Sequence, residues 1–107
     1  MDIKIPKVLA AIDLGDYAEA LKGQFVYAWV NPPLETMREH EAMRQAEDPN
    51  GITAWYARML SQGADAATHW TAAELEALNE SDPALLNFIV SAYWQARSEH
   101  RSKKKLS

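Results

Sequence analysis

The sequence predicts a mainly helical α+β domain, in which an N-terminal β-hairpin is followed by about four α-helices. Three observations lead to this fold class. Residues 24–30 alternate in the manner of a β-strand, and residues 52–60 place apolar side chains at amphipathic-helix spacing. Pro83 opens a long apolar segment that ends in basic residues. At 107 residues, 48% of them apolar, the chain fits one globular domain over residues 1–102.

The hairpin is predicted over residues 7–30. Its first strand alternates from Val8 onward, and the connection between Gly15 and Gly23 has room for one helical turn. Asn31-Pro32-Pro33 ends the second strand, because proline cannot donate to a β-ladder. That strand is apolar on both faces, with Phe25, Tyr27 and Trp29 on one and Val26, Ala28 and Val30 on the other. One face can pack on the helices, so the other needs further structure or a partner.

The helices are predicted over residues 34–47, 52–62, 72–80 and 83–102. Pro33 can open the first helix, since its missing N–H falls among donors that are unpaired there. Gly63 is well placed to end the second helix. Thr71-Ala-Ala-Glu74 has the spacing of a capping box and predicts the start of the third.

The last helix is the main candidate for a protein-binding surface. It is apolar around most of its circumference, apart from a narrow polar stripe from Asn87 to Gln95. Such a helix is either central in the fold or partly covered by another protein. The predicted binding residues are Phe88, Tyr93 and Trp94 of this helix, with Trp55 and Met59 of the second helix behind them.

Charge is distributed unevenly along the chain. Residues 1–95 carry 14 acidic and six basic side chains, a net charge of −8, whereas residues 96–107 have a net charge of +4. Residues 103–107 are predicted to form a basic flexible tail. An acidic body repels phosphate backbones, so no nucleic-acid partner is expected. The basic end itself has three interpretations, namely a solvated helix terminus, a contact with an acidic protein or a contact with nucleic acid.

No motif in the sequence indicates an enzyme, a bound cofactor or a metal site. There is no cysteine, no phosphate-binding glycine loop and no nucleophile elbow. His40 lies between two glutamates, but neighbouring helix residues point apart and cannot converge on one ion. The apolar run at 85–94 is too short to cross a bilayer, and the N-terminus lacks a secretory signal. We therefore expect a cytoplasmic, non-enzymatic protein that binds no membrane.

Several segments follow one another in a distinctive order. The hairpin ends in Val26-Tyr27-Ala28-Trp29-Val30-Asn31-Pro32-Pro33, and an acidic helix and Trp55-Tyr56 follow. Trp70 to Leu75 reads Trp-Thr-x-x-Glu-Leu, and Asp82-Pro83-Ala84-Leu85-Leu86 leads into the last helix with its basic end. Over most of the chain, this order resembles that of the tail assembly chaperones of long-tailed (siphovirus-like) phages and prophages.

The resemblance implies a specific role. Such proteins are not enzymes; they bind the tape-measure protein and keep its long apolar helices soluble while tail-tube subunits assemble around it. The expected partners are then the tape-measure protein as client and the tail-tube protein, in the cytoplasm of a bacterial host. Independently of the resemblance, the wide apolar arc of the last helix and the two apolar faces of the second strand predict that the chain forms homo-oligomers.

Three other functions remain open from the sequence. One is a homo-oligomeric structural or interaction module of phage morphogenesis that has no helical client. Another is a small enzyme or ligand-binding domain, which requires a deep cavity lined by Trp29, Trp55 or Trp70 beside a perturbed histidine or carboxylate. The last is a nucleic-acid-binding protein that uses the basic end, and its binding would depend strongly on salt.

Overall fold

The predicted α+β architecture is present in the computed structural model, which describes residues 1–106 and the side chains of residues 1–103. A two-stranded antiparallel hairpin near the N-terminus is followed by four α-helices, and 61% of the chain is helical. The elements are β1 (Leu9–Asp13), β2 (Phe25–Trp29), α1 (Leu34–Gln45), α2 (Pro49–Met59), α3 (Ala72–Ser81) and α4 (Pro83–Leu106).

The hairpin has the register expected from its alternating side chains. Leu9 lies opposite Trp29 and Asp13 opposite Phe25. Two short 3-10 turns, at residues 14–16 and 19–21, replace the single helical turn predicted between the strands. Gly23 has a φ of 87°, a conformation that only glycine adopts without strain, so this position fixes the entry into β2.

The second helix differs from its predicted bounds of 52–62 at both ends. It begins earlier because the Asp48 side chain accepts a hydrogen bond of 3.0 Å from the Gly51 N–H, and Pro49 occupies the first turn. It ends at Met59 because the next residues turn back to the sheet, where the Gln62 N–H donates to the Tyr27 carbonyl at 3.2 Å. Gly63 therefore does not end this helix, and α1 also ends earlier than predicted, at Gln45 rather than 47.

The third helix has the predicted capping box. The Glu74 N–H donates to the Thr71 hydroxyl at 3.1 Å, and the Thr71 N–H donates to a Glu74 carboxylate oxygen at 3.0 Å. These reciprocal bonds satisfy two backbone donors that would otherwise have no partner within the helix, and so fix where α3 begins.

The last helix is longer than predicted. It begins at Pro83, where the Asp82 carboxylate accepts from the Leu85 N–H at 3.1 Å, and it continues to Leu106. The predicted end at 102 is therefore wrong, and the backbone of residues 103–106 is helical. Ser107 lies outside the described residues. Whether the basic end is flexible in solution stays a prediction.

The core lies between the inner face of the hairpin and helices α2, α3 and α4. Its largest fully buried side chains are Tyr93, Met59, Leu60, Leu75, Ile89 and Val26. The Tyr93 hydroxyl donates to the Trp29 carbonyl at 3.0 Å and so ties α4 to β2. Within residues 1–106, no helix has both the length and the apolar content that are needed to cross a membrane.

Candidate protein-binding surface

The two faces of the hairpin have different environments. On each strand, alternate side chains point to opposite faces. Ile12, Val26 and Ala28 point inward and are buried against the helices. The side chains of Leu9, Phe25, Tyr27 and Trp29 point the other way, together with those of Ala11 and Asp13, and we call this set the outer face. It is an aromatic and aliphatic surface on a sheet of only two strands, apart from Asp13, which lies opposite Phe25 at one end.

The outer face is open at its edges. Leu9 is 43% exposed and Phe25 is 38% exposed, whereas Tyr27 and Trp29 are half-buried. The Phe25 and Tyr27 rings are near-parallel, with centroids 6.4 Å apart. Leu9 lies directly opposite Trp29 in a close cross-strand pair. The exposed Leu9 and Phe25 side chains therefore each lie beside a half-buried aromatic ring on the same face, rather than as isolated exposed residues.

Neighbouring segments border the outer face and contact two of its rings, Gly63 at Tyr27 and Lys7 at Trp29. Lys7 places its Nζ 4.4 Å from the centre of the Trp29 ring and donates to the Gln62 side chain at 2.9 Å. The Ser61–Gln62 segment pairs with the edge of β2 at Tyr27. Beyond Phe25, a cleft of about 390 Å³ separates β2 from Trp70 and its neighbours.

Asn31 holds the N-terminal segment against the end of the hairpin. Its side-chain oxygen accepts from the Val8 N–H at 2.7 Å and from the Trp29 indole N–H at 3.0 Å. Its side-chain nitrogen donates to the Pro6 carbonyl at 3.0 Å. These bonds orient the Trp29 ring on the outer face, so the shape of that face is built into the fold.

The five sequence-predicted binding residues lie elsewhere. Trp55 is 3% exposed, and Met59 and Tyr93 are 0% exposed. The expectation that Tyr93 lies on an exposed part of the last helix is wrong, because its ring fills the space between α4, α2 and the hairpin. Phe88 and Trp94 are half-buried, and Phe88 packs on Tyr17 with ring centroids 5.5 Å apart.

Trp55 and Trp94 belong to an aromatic cluster between α1, α2 and α4. This cluster, which we call the internal cluster, consists of His40, Trp55, Tyr56, Tyr93 and Trp94. The two indole rings lie near-parallel, 6.1 Å apart. Their N–H groups are satisfied internally, since Trp55 donates to the Thr36 carbonyl at 3.0 Å and Trp94 to the Tyr56 hydroxyl at 2.8 Å. Such pairing is typical of structural aromatic residues.

Burial shifts the pKa values of three members of the internal cluster. It lowers the pKa of His40, whose ring centroid lies 4.6 Å from that of Trp55, and so favours the neutral imidazole. It raises the pKa of Tyr56, and it raises the pKa of Tyr93 to about 12. In each case the charged form of the side chain loses solvation when it is packed in the protein, so the neutral form is favoured.

The tryptophans do not gather around one cavity. Trp55 is buried in the internal cluster, Trp29 lies on the outer face and Trp70 borders the 390 Å³ cleft. His69 lies in that cleft, and its Nε2 is 2.5 Å from the Gly63 carbonyl oxygen. Among the described residues, no group of three or more His, Asp or Glu side chains is placed to hold a metal ion.

The sequence signal for the outer face is the apolar pattern of residues 24–30 on both sides of the strand. That pattern predicts a face that needs a partner, whereas the apolar arc predicts a binding surface on the last helix. Only the centre of that arc, Leu85, Ile89 and Tyr93, is buried in the core, and its flanks are half-buried. In comparisons with known proteins, the chain matches no family model, no curated protein and no solved structure.

Proposed function

We propose that this chain is a non-enzymatic, protein-binding assembly factor: a phage or prophage tail assembly chaperone that holds apolar helices of the tape-measure protein. The single observation that carries the proposal is the outer face. A two-stranded sheet is marginal alone and normally buries both of its apolar faces, yet here Leu9 and Phe25 remain exposed. An exposed apolar surface is typical of a binding site for another protein.

The size of the outer face suits a helix. Each strand has five residues and spans about 16 Å, which corresponds to three turns of an α-helix at about 5.4 Å per turn. An amphipathic helix presents apolar residues at i, i+3, i+4 and i+7 over that length. Lys7 at the border could pair with an acidic residue on the polar flank of such a helix.

The order of segments supports the choice of client. The resemblance to tail assembly chaperones rests on the hairpin end, Trp55-Tyr56, the helix start at Trp70–Leu75 and the approach to the last helix. Two of these segments also build the proposed surface or its border, since β2 supplies the outer face and Trp70 lines the adjoining cleft, whereas Trp55 belongs to the internal cluster.

Co-expression with segments of the longest helical open reading frame beside the gene tests the proposal. We expect the wild-type chain to bring an otherwise insoluble segment into a soluble complex. A double variant, Leu9→Thr with Phe25→Thr, should lose this effect, because threonine keeps β-propensity but removes most of the apolar contact. Ile3→Ser is the matched control, since Ile3 is 75% exposed and precedes the strands that form the outer face.

Two results would contradict the proposal. If no segment of that reading frame is rescued and the wild-type chain forms a stable oligomer that the double variant disrupts, the outer face is a contact between copies. The protein is then a homo-oligomeric structural module. If Ile3→Ser abolishes rescue and the double variant does not, the client binds elsewhere on the molecule.

A further inference from the structure

A second surface lies where the C-terminal part of α4 passes the Pro32-Pro33 segment and the start of α1. A cleft of about 460 Å³ opens there, with Arg97, His100 and Arg101 of α4 on one wall. The other wall is apolar and includes Pro33, Leu34 and Met37, with Ile5 of the N-terminal segment at its rim. We call this the basic cleft. A smaller cleft of about 320 Å³ adjoins it and shares Met37, Arg97 and Arg101.

Two nitrogen atoms at the basic cleft are buried without a hydrogen-bond partner among the described residues. They are Nε of Arg97 and Nε2 of His100. A buried donor that makes no hydrogen bond is unfavourable, and more so when it belongs to a charged group. Arginine side chains are charged in proteins and only donate hydrogen bonds, so this group calls for an acceptor.

The described residues supply no anion for these groups. None of the side chains that line either cleft carries a carboxylate, although the chain has 15 acidic residues. The ion pairs found within residues 1–103 are Arg44 with Glu41 and Arg58 with Glu39, both away from the clefts. Asn31 lines the basic cleft, but its side-chain oxygen and nitrogen are already engaged with Val8, Trp29 and Pro6.

We propose that the basic cleft binds a carboxylate that an apolar segment of a partner protein presents. The Arg97 guanidinium offers Nε and a terminal nitrogen as a fork, which matches the two oxygens of a carboxylate. His100 adds a second donor when Nε2 carries its proton. The exposed Leu34 and Ile5 side chains, 65% and 70% exposed, supply apolar contacts for the residues that flank the carboxylate.

Charge and surface chemistry favour a protein over a nucleic acid as the source of the anion. The body of the chain has a net charge of −8, which repels a polyanionic backbone much more than it repels one carboxylate. A phosphate backbone also gains little from walls built of proline, leucine and methionine. The volume of about 460 Å³ is within the usual range for a site that takes a side chain or small ligand.

This inference goes beyond the proposed chaperone function. It depends on neither the outer face nor a helical client, and it holds for any partner that carries a carboxylate between apolar residues. Its failure would leave the outer face untouched, and failure of client rescue would leave the basic cleft untouched.

The test uses the full-length chain labelled with ¹⁵N and follows the Arg97 Nε–H resonance by NMR. The probe is 4-methylpentanoate, which joins a leucine-sized apolar group to a carboxylate, and its comparison compounds are 4-methylpentanamide and acetate. We expect a saturable shift with a dissociation constant on the order of 1 mM, as for a ligand of so few atoms. Each comparison compound should bind at least fivefold more weakly.

Variants test whether binding requires the basic side chains of this cleft or only positive charge anywhere on the protein. Arg97→Gln should abolish the saturable response, and His100→Gln should weaken binding about threefold with Arg97 still present. Arg58→Gln is the matched control and should leave binding unchanged, because Arg58 lies on α2, away from the cleft. If Arg97→Gln fails to fold, the titration of the wild-type chain with 4-methylpentanoate still tests the proposal.

Three outcomes would overturn the proposal. In the first, no saturable shift of the Arg97 resonance occurs. In the second, acetate and 4-methylpentanoate bind equally, which would show that the apolar wall contributes nothing. In the third, inorganic phosphate or a short oligonucleotide shifts the resonance at lower concentration than 4-methylpentanoate at equal ionic strength, which would assign the cleft to phosphate groups.

Discussion

The internal cluster and the outer face are both rich in aromatic side chains, but they differ in what covers them. In the internal cluster, Trp55 is 3% exposed and Tyr93 is 0% exposed, and helices pack on each side. On the outer face, by contrast, Phe25 is 38% exposed and Leu9 is 43% exposed on a sheet of two strands. Aromatic content alone therefore does not identify a binding surface. Whether aromatic side chains are available to a partner depends on how many helices and strands of the same chain pack on them.

The largest effect is expected from Trp55→Ala in the internal cluster. This change removes a buried indole and leaves the Thr36 carbonyl without its donor, so it should lower the free energy of unfolding by about 3–5 kcal/mol. Urea denaturation followed by circular dichroism measures the effect. Leu34→Ala, at an exposed position, should change stability by less than about 0.5 kcal/mol. Equal losses in both variants would show that the cluster is not packed as described.

A smaller effect is expected from Tyr93→Phe. The ring stays in place, but the Trp29 carbonyl loses the hydroxyl that donates to it at 3.0 Å, and this should cost about 1–3 kcal/mol. Tyr27→Phe on the outer face is the matched control and should stay within about 0.5 kcal/mol of wild type. If the two changes have the same effect, the link between α4 and β2 contributes nothing to stability.

His40 should make the stability of the internal cluster depend on pH. Burial lowers its pKa in the folded state, so the unfolded chain binds the proton first as the pH falls. The free energy of unfolding should therefore be highest above the unfolded value of about 6.5 and decrease below it, until the lowered pKa of the folded state is passed.

The measurement is urea denaturation at a series of pH values between about 7.5 and 5. His40→Gln should flatten the dependence over this window, whereas His69→Gln at an exposed position should leave the wild-type slope. A slope that is the same in wild type and His40→Gln would assign the dependence to other groups.

The elements that sequence reasoning predicted well are those set by local chemistry. The capping box of Thr71 and Glu74 and the alternation over residues 24–30 both act within a few residues of the chain, and both are present. The ends of α2 were missed for two different reasons. Asp48-Pro49 is a local helix start that also reads as a turn, whereas the end at Met59 depends on the pairing of Gln62 with Tyr27, 35 positions away in sequence.

The candidate surfaces were harder to predict from the sequence than the fold. The wide apolar arc of α4 indicates a binding surface, but its central residues Leu85, Ile89 and Tyr93 are buried in the core, because other helices and the hairpin pack on that side of the helix. The basic cleft could not be predicted from the sequence, because Arg97 and the Pro33–Leu34 segment are far apart along the chain and lie together only after folding. The basic end itself was evident, but not the cavity or the buried nitrogens beside it.

The smallest effect on stability is expected from the outer face. Leu9→Thr with Phe25→Thr should lower the free energy of unfolding by less than about 1.5 kcal/mol, because a large part of each residue, 43% of Leu9 and 38% of Phe25, is already exposed and threonine suits a strand. The same double variant should bind markedly less of the dye ANS, whose fluorescence reports accessible apolar surface. A large loss of stability with unchanged dye binding would place these side chains in the core. A small loss with reduced dye binding would show that the hairpin keeps this apolar surface for contacts outside its own chain, in contrast to the internal cluster.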